Sequence, residues 1–420
     1  MPLSDKLNPT LNTLPVYQPG RPIEEVAREL GLDAGEVIKI ASNENPLGPS
    51  PLAVEAMKTA IGQSHLYPDG NAFYLKNKLA AKLNVEPANL VLGNGSNEII
   101  EFVSHALLGP GDEIVVSQYC FAIYPLVAMM MGAKANAVPA VEHGHDLPAM
   151  LEAITPSTRI VWVANPNNPT GTLAKPEDVR ALVEQVPDDV LLVMDEAYYE
   201  FLDEPVDLLP MVRSGGKPNL LLMRTFSKIY GLAGLRIGYG IGHPDFVSAL
   251  EKVRQPFNTN AVAQAGAMAA LDDDKHLANT RRTNAEGLKF FEAVCAEQGI
   301  EFVPSHANFV MVRVGDGQAV FEALQRQGVI TPCRCIASNT AWPSPTRTIT
   351  KFACDGTNSI PCSVQTASKK FSPSALVLRV LARCASSSRA AIAPACATEL
   401  VLNGWRTFSS AETKSECPMP

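Results

Sequence analysis

Lys228 is preceded by Ser227 and followed eight residues later by Arg236, in the run TFSKIYGLAGLRIGYG at 225–240. The run is rich in Gly, Ala and Leu and holds no acidic residue. A lysine kept from carboxylates and near a second cation loses part of its reason to stay protonated, so its amine can condense with an aldehyde. The adjacent hydroxyl and the guanidinium suit a phosphate, which arginine grips with two parallel donors where lysine offers a point charge. Aldehyde and phosphate together point to pyridoxal phosphate. Taken alone, a Ser-Lys pair is an ordinary solvated surface feature, so other parts of the chain must supply the rest of the site.

Those parts are the ends of strands. Apolar strands alternate with helices through DEIVVSQ, AIYPLVAMMMG, STRIVWVANPNNPTG, DVLLVMDEAYYEF and NLLLMRTFSK. Buried runs separated by helices predict an α/β fold with a mostly parallel sheet covered on both faces. In such sheets ligands collect at the carboxyl ends of the strands. Asn168, Asp195, Ser227 and Lys228 all fall there. Asp195 suits a place against a pyridine nitrogen, where it would hold the ring protonated as an electron sink. Tyr198 and Asn168 can donate to the ring's 3-oxygen, and Phe121 can stack on its face, with plain core packing as the alternative for Phe121.

LVLGNGSNEII at 90–100 passes from strand to helix across Gly95, Ser96 and Asn97. Free backbone N–H groups at such a junction suit a phosphate, although the same composition also simply caps a helix. Asn43, Glu44 and Asn45 lie in a proline-bounded loop, Tyr67 at the turn YPDG, and Asn308 in the turn SHANF. HGHD at 143–146 lacks the further ligands a metal site needs, so no metal is expected.

At 420 residues the chain exceeds the usual single-core limit, so two domains are expected. No run of 18 apolar residues and no signal-type start are present, which predicts a soluble, cytoplasmic protein without a membrane partner. The net charge of −8 argues against a nucleic-acid partner. That average hides an asymmetry. Residues 1–330 carry 25 Lys+Arg against 39 Asp+Glu, whereas the last 90 carry 10 against 4 and seven of the nine cysteines.

ASNENPLGPSP, LYPDG, GNGSNE, ANPNNPTGT, MDEAYYEF and RTFSKIYGLAGLRIGYG, in this order, resemble the fold type I pyridoxal-phosphate aminotransferases over about residues 14–330. Within that family the pattern looks most like the branch that acts on histidinol phosphate. Aromatic aminotransferases and threonine-phosphate decarboxylases share much of it. The resemblance implies a mostly parallel seven-stranded-type sheet sandwiched by helices, plus a smaller α+β domain. It implies an N-terminal arm at 1–48, a large cofactor domain at 49–280 and a small domain at 281–330. It further implies that Lys228 carries the cofactor and shuttles a proton, that Asp195 pairs with the ring nitrogen, and that Asn168 and Tyr198 bond the 3-oxygen. Gly95, Ser96, Asn97, Ser227 and Arg236 would hold the phosphate, joined by Tyr67 from the other subunit of a homodimer. Phe121 stands where the family usually stacks Tyr, and Tyr17 and Asn45 match positions near the substrate, with Asn308 facing the same site. The expected substrates are an amino donor and 2-oxoglutarate.

The pattern departs after residue 330. The family continues to a strand of the type LRITVG, whose Arg grips the substrate's acidic group; here Arg347 in TRTIT stands at about that distance in unlike surroundings. Residues 331–420 are expected to be atypical, read out of frame or grafted on, and a cofactor-binding protein without turnover is the corresponding alternative. Resequencing the gene for another frame that encodes an LRI-like strand tests this; finding none counts against it.

Overall fold

The computed structural model describes residues 6–15, 20–315, 317–331 and 348–353. Tyr17, Arg347 and most of the 331–420 segment lie outside these residues.

Twelve strands are described: β1 (Ile38–Lys39), β2 (Leu90–Gly93), β3 (Glu113–Ser117), β4 (Lys134–Val138), β5 (Thr158–Ala164), β6 (Leu191–Asp195), β7 (Leu220–Thr225), β8 (Gly238–Gly242), β9 (Phe302–Val303), β10 (Phe309–Gly315), β11 (Val329–Ile330) and β12 (Thr348–Ala353). Seven of them form the main sheet in the order β2-β8-β7-β6-β5-β3-β4. β8 runs antiparallel to both its neighbours and the remaining pairs are parallel, as the apolar runs predicted. One apolar layer, which includes Leu75, Leu92, Val163, Met194 and Leu222, covers one face, and a second, which includes Ile99, Val116, Trp162, Val193 and Met223, covers the other. Full burial of each such side chain contributes about 1.5–3 kcal/mol, which is why these strands read as continuous apolar runs rather than alternating ones.

The register of this sheet brings the site together. Ala164 pairs with Asp195 and Asp195 with Met223, so β5 and β6 end level and β7 runs two residues further, to Thr225. Gly238, the first residue of β8, pairs with Thr225 on one side and Gly93 on the other. β8 has no strand signal of its own, because GYGIG is poor in strand-forming side chains. Close packing demands the glycines: a Cβ at Gly238 would lie 2.4 Å from the Ser96 nitrogen.

A second body follows. The long helix Asp274–Glu297 leads into an antiparallel sheet of order β12-β10-β9, and β1 pairs in parallel with β11. Phe291, Val310, Val312 and Leu324 form its core, while Val26, Ala27, Val37 and Ile330 form a smaller cluster around β1. The helix Ile23–Leu30 ends at Gly31 in a left-handed conformation. No helix among the described residues is long and apolar enough to cross a membrane.

Candidate active site

Lys228 sits just beyond β7. Its amine donates to the Ser42 carbonyl at 3.1 Å and lies 3.5 Å from that of Asn43. Burial pushes it down from 10.5 to about 8; Arg236 adds to the fall, while Glu44 and Asp195 oppose it. The local run holds no acid, yet the fold brings two carboxylates within electrostatic range. Desolvation outweighs them, so the amine is free in a minor fraction of molecules at neutral pH and in about half of them near pH 8.

Asp195 ends β6 and is 7% exposed. Its Oδ1 accepts from the Ala197 amide at 3.1 Å and its Oδ2 from the Tyr124 hydroxyl at 2.5 Å. Burial raises its carboxyl to about 6, against the opposing pull of these donors and of Lys228. Tyr198 lies one turn further on, with its ring centroid 5.6 Å from the Lys228 amine and its hydroxyl accepting from Asn43 Nδ2 at 2.8 Å. Asn168 follows β5, partly buried, before the cis bond to Pro169. Phe121 is partly buried and meets the Tyr124 ring edge-on at 5.6 Å.

The third part is an anion cradle. The helix Ser96–Leu107 starts at Gly95, which has φ +79° and no side-chain cap. A Cβ on Gly95 would lie 2.4 Å from Arg236 Nη2, so only glycine lets the guanidinium approach this helix start. Arg236 is itself left-handed, at φ 56°, and donates to Ser227 Oγ at 3.3 Å. A guanidinium, a hydroxyl and the uncapped N-terminus of a helix with the residues Ser96 and Asn97 thus converge; positive potential and free donors suit a phosphate.

Other expected residues take different places. Asn45 is buried and braces its loop, with Nδ2 donating to the Ile229 carbonyl at 2.8 Å and Oδ1 accepting from the Leu47 amide. Asn308, 2% exposed, donates to the Asn43 carbonyl at 3.1 Å. Both amides hold the loop over Lys228. Tyr67 is 83% exposed and stacks on Phe257 at 4.8 Å, away from this chain's own crevice. In the HGHD stretch, His143 stacks on Tyr119, His145 contacts the Ala164 carbonyl and Asp146 caps the helix Leu147–Glu152.

The sequence reading missed Tyr124 and the pair Arg224–Glu196. Arg224 Nε donates to Glu196 Oε2 at 2.8 Å, both side chains 4% exposed, and the guanidinium lies 3.7 Å from the Tyr199 centroid. This buried pair ties β7 to the residue after Asp195.

These residues fit pyridoxal phosphate. A glycine-lined cradle of the right charge, an amine freed by burial and a buried carboxylate stand at the ends of adjacent strands.

Comparison with known proteins agrees. The chain is 50% identical over 322 residues to histidinol-phosphate aminotransferase 1 of Thiobacillus denitrificans, covering 77% of this chain and 84% of that protein. It is 49% identical over 318 residues to histidinol-phosphate aminotransferase 1 of Nitrosococcus oceani, covering 75% and 85%. The crystal structure of histidinol-phosphate aminotransferase from Sinorhizobium meliloti, in complex with pyridoxal-5'-phosphate, superposes with a TM-score of 0.75 at 28% identity, over 91% of this chain and 98% of that one. Residues 35–347 match the family model for aminotransferase class I and II, and the chain belongs to that family.

Proposed function

We propose that the protein is a pyridoxal-phosphate-dependent transaminase of histidine biosynthesis, which converts L-histidinol phosphate and 2-oxoglutarate to imidazole-acetol phosphate and L-glutamate. One observation carries the chemistry: Lys228, Asp195 and the Gly95–Arg236 cradle lie at or just beyond the carboxyl ends of β2, β6 and β7 in one sheet. Identities of 49% and 50% to proteins named for that donor carry the substrate.

When bound, pyridoxal phosphate supplies an aldehyde that takes up the donor's amino group and a ring that accepts the electron pair left at its α-carbon. Lys228, whose amine burial frees in part at working pH, would be the residue that holds the cofactor. Its amine would also serve as the general base and acid that takes up and gives back the proton of the substrate's α-carbon. Asp195 would keep the ring nitrogen protonated, and Tyr198 with Asn168 would donate to the 3-oxygen. Arg236, Ser227 and the amides at Gly95, Ser96 and Asn97 would take the phosphate, and Phe121 would pack against the ring. Loop residues 42–45, held by Asn308, exclude water from the Lys228 amine.

We read residues 49–280 as the large cofactor unit and 281–330 with the arm at 1–48 as the smaller one. The exposed aromatic patch of Tyr67, Phe73 and Tyr74, 83%, 62% and 71% exposed, supports a homodimer in which Tyr67 reaches the phosphate of the neighbouring subunit. The cytoplasm suits its small soluble substrates.

The test is a single-turnover absorbance scan of the cofactor-loaded protein with L-histidinol phosphate, using L-phenylalanine as comparison. Conversion to the pyridoxamine form with the first and little with the second is expected. Faster conversion with phenylalanine overturns the substrate; conversion with neither overturns the transaminase reading.

A further inference from the structure

Tyr124 is 1% exposed, and its hydroxyl donates to Asp195 Oδ2 from a helix that no motif singled out. Its ring is clamped: it lies flat on Trp162 at 4.7 Å with 9° between planes, and Phe121 meets it edge-on. Trp162 belongs to β5, whose neighbour β6 carries Asp195. The hydroxyl is thus fixed relative to the carboxylate by side-chain packing on the same sheet.

We infer that Tyr124 is a positioning residue, whose hydrogen bond holds the Asp195 carboxylate ionised and aimed at the cofactor's ring nitrogen. The inference rests on the reading of Asp195 given above. With Ala197 N–H on Oδ1 and Tyr124 on Oδ2, the carboxylate is tied at both oxygens and cannot turn about its last bond. Burial and the Asp195 charge push the Tyr124 phenol well above 10, so it remains a donor throughout the working range. The other titratable groups facing the pair do not replace it. Lys228 favours ionised Asp195 from the opposite side, the Cys120 thiol is pushed up to about 12 and stays neutral, the Tyr198 hydroxyl is engaged by Asn43, and Glu196 is paired with Arg224.

The experiment measures the dissociation constant of pyridoxal phosphate from the cofactor-free protein between pH 5.5 and 8.5, for wild type and Tyr124→Phe. Loss of one hydrogen bond to a charged group is expected to weaken binding roughly ten-fold near pH 6.5, with the gap narrowing toward pH 8.5, because an unsupported carboxyl protonates at higher pH. In an Asp195→Asn background the same substitution is expected to change affinity less than about two-fold. A Tyr124→Phe effect that is absent, or equal at every pH and in both backgrounds, overturns the inference and leaves the cofactor reading intact. A wild type that binds no pyridoxal phosphate at any pH removes that reading and the inference with it. If Tyr124→Phe does not fold, 3-fluorotyrosine at position 124 alone, a stronger donor, is expected to move the pH dependence to lower pH; no movement overturns the inference.

Discussion

The seven-stranded sheet ends in charged and reactive groups, Asp195, Ser227 and Lys228, while the antiparallel sheet β12-β10-β9 sends toward the same loop one neutral amide, Asn308. Parallel strands in level register present several chain ends on one side, each free to carry a functional group. Antiparallel neighbours alternate ends, so the small sheet supplies packing and a brace. Chemistry sits in the first sheet and closure in the second.

The sharpest test of that division is Lys228→Ala, which is expected to lower turnover by about 10⁴-fold or more and to remove the visible absorbance band of the loaded protein, with the melting curve showing an intact fold. Persistence of the band after dialysis would place the cofactor on another lysine. The lysine's lowered value adds a pH signature. Its free fraction rises with pH up to about 8, so the rate at which cofactor-free protein takes up pyridoxal phosphate is expected to climb below pH 8 and level off above it in stopped-flow absorbance. The sign carries into stability: between about 8 and 10.5 the unfolded chain holds a proton that the fold does not, so the cofactor-free protein gains stability as pH rises through that window.

Asp195→Asn comes next, with an expected loss of roughly 10²- to 10³-fold in kcat, since a neutral amide does not hold the ring nitrogen protonated. Arg236→Lys keeps the charge and loses the fork, so cofactor affinity is expected to fall about ten-fold with kcat of the saturated enzyme little changed. Asn308→Ala should have the smallest effect. Removing one hydrogen bond to the Asn43 carbonyl costs about 1 kcal/mol, read as a change of about five-fold in KM. A loss as large as that of Asp195→Asn would break the division between the two sheets.

Much of this was legible in the sequence. Asp195, Ser227 and Lys228 stand out because polar residues terminating buried apolar runs have few other reasons to be there. The Gly95 junction was legible as a phosphate site or a helix cap, and the approach of Arg236 decides for the cradle. Tyr124 was hidden: it lies in the apolar helix Ile123–Met130, and its partner is 71 residues away. The acids near Lys228 were hidden too, because charge in space does not follow charge along the chain. β8 was illegible for the opposite reason, being a strand made by its neighbours' register rather than by its own side chains.

The chain between Thr225 and Gly238 is a closed loop, pinned by their pairing and by the bond from the Phe226 amide to the Ile237 carbonyl. Within it Gly231 has no spare room, since a Cβ there would lie 2.1 Å from the Gly48 carbonyl oxygen. The amine and the guanidinium are therefore two points on one rigid ring of fixed circumference. As the protein diverges, this ring can exchange letters on its outer side but cannot change its length. A single residue inserted between Lys228 and Arg236 would move the amine and the guanidinium relative to each other at one stroke.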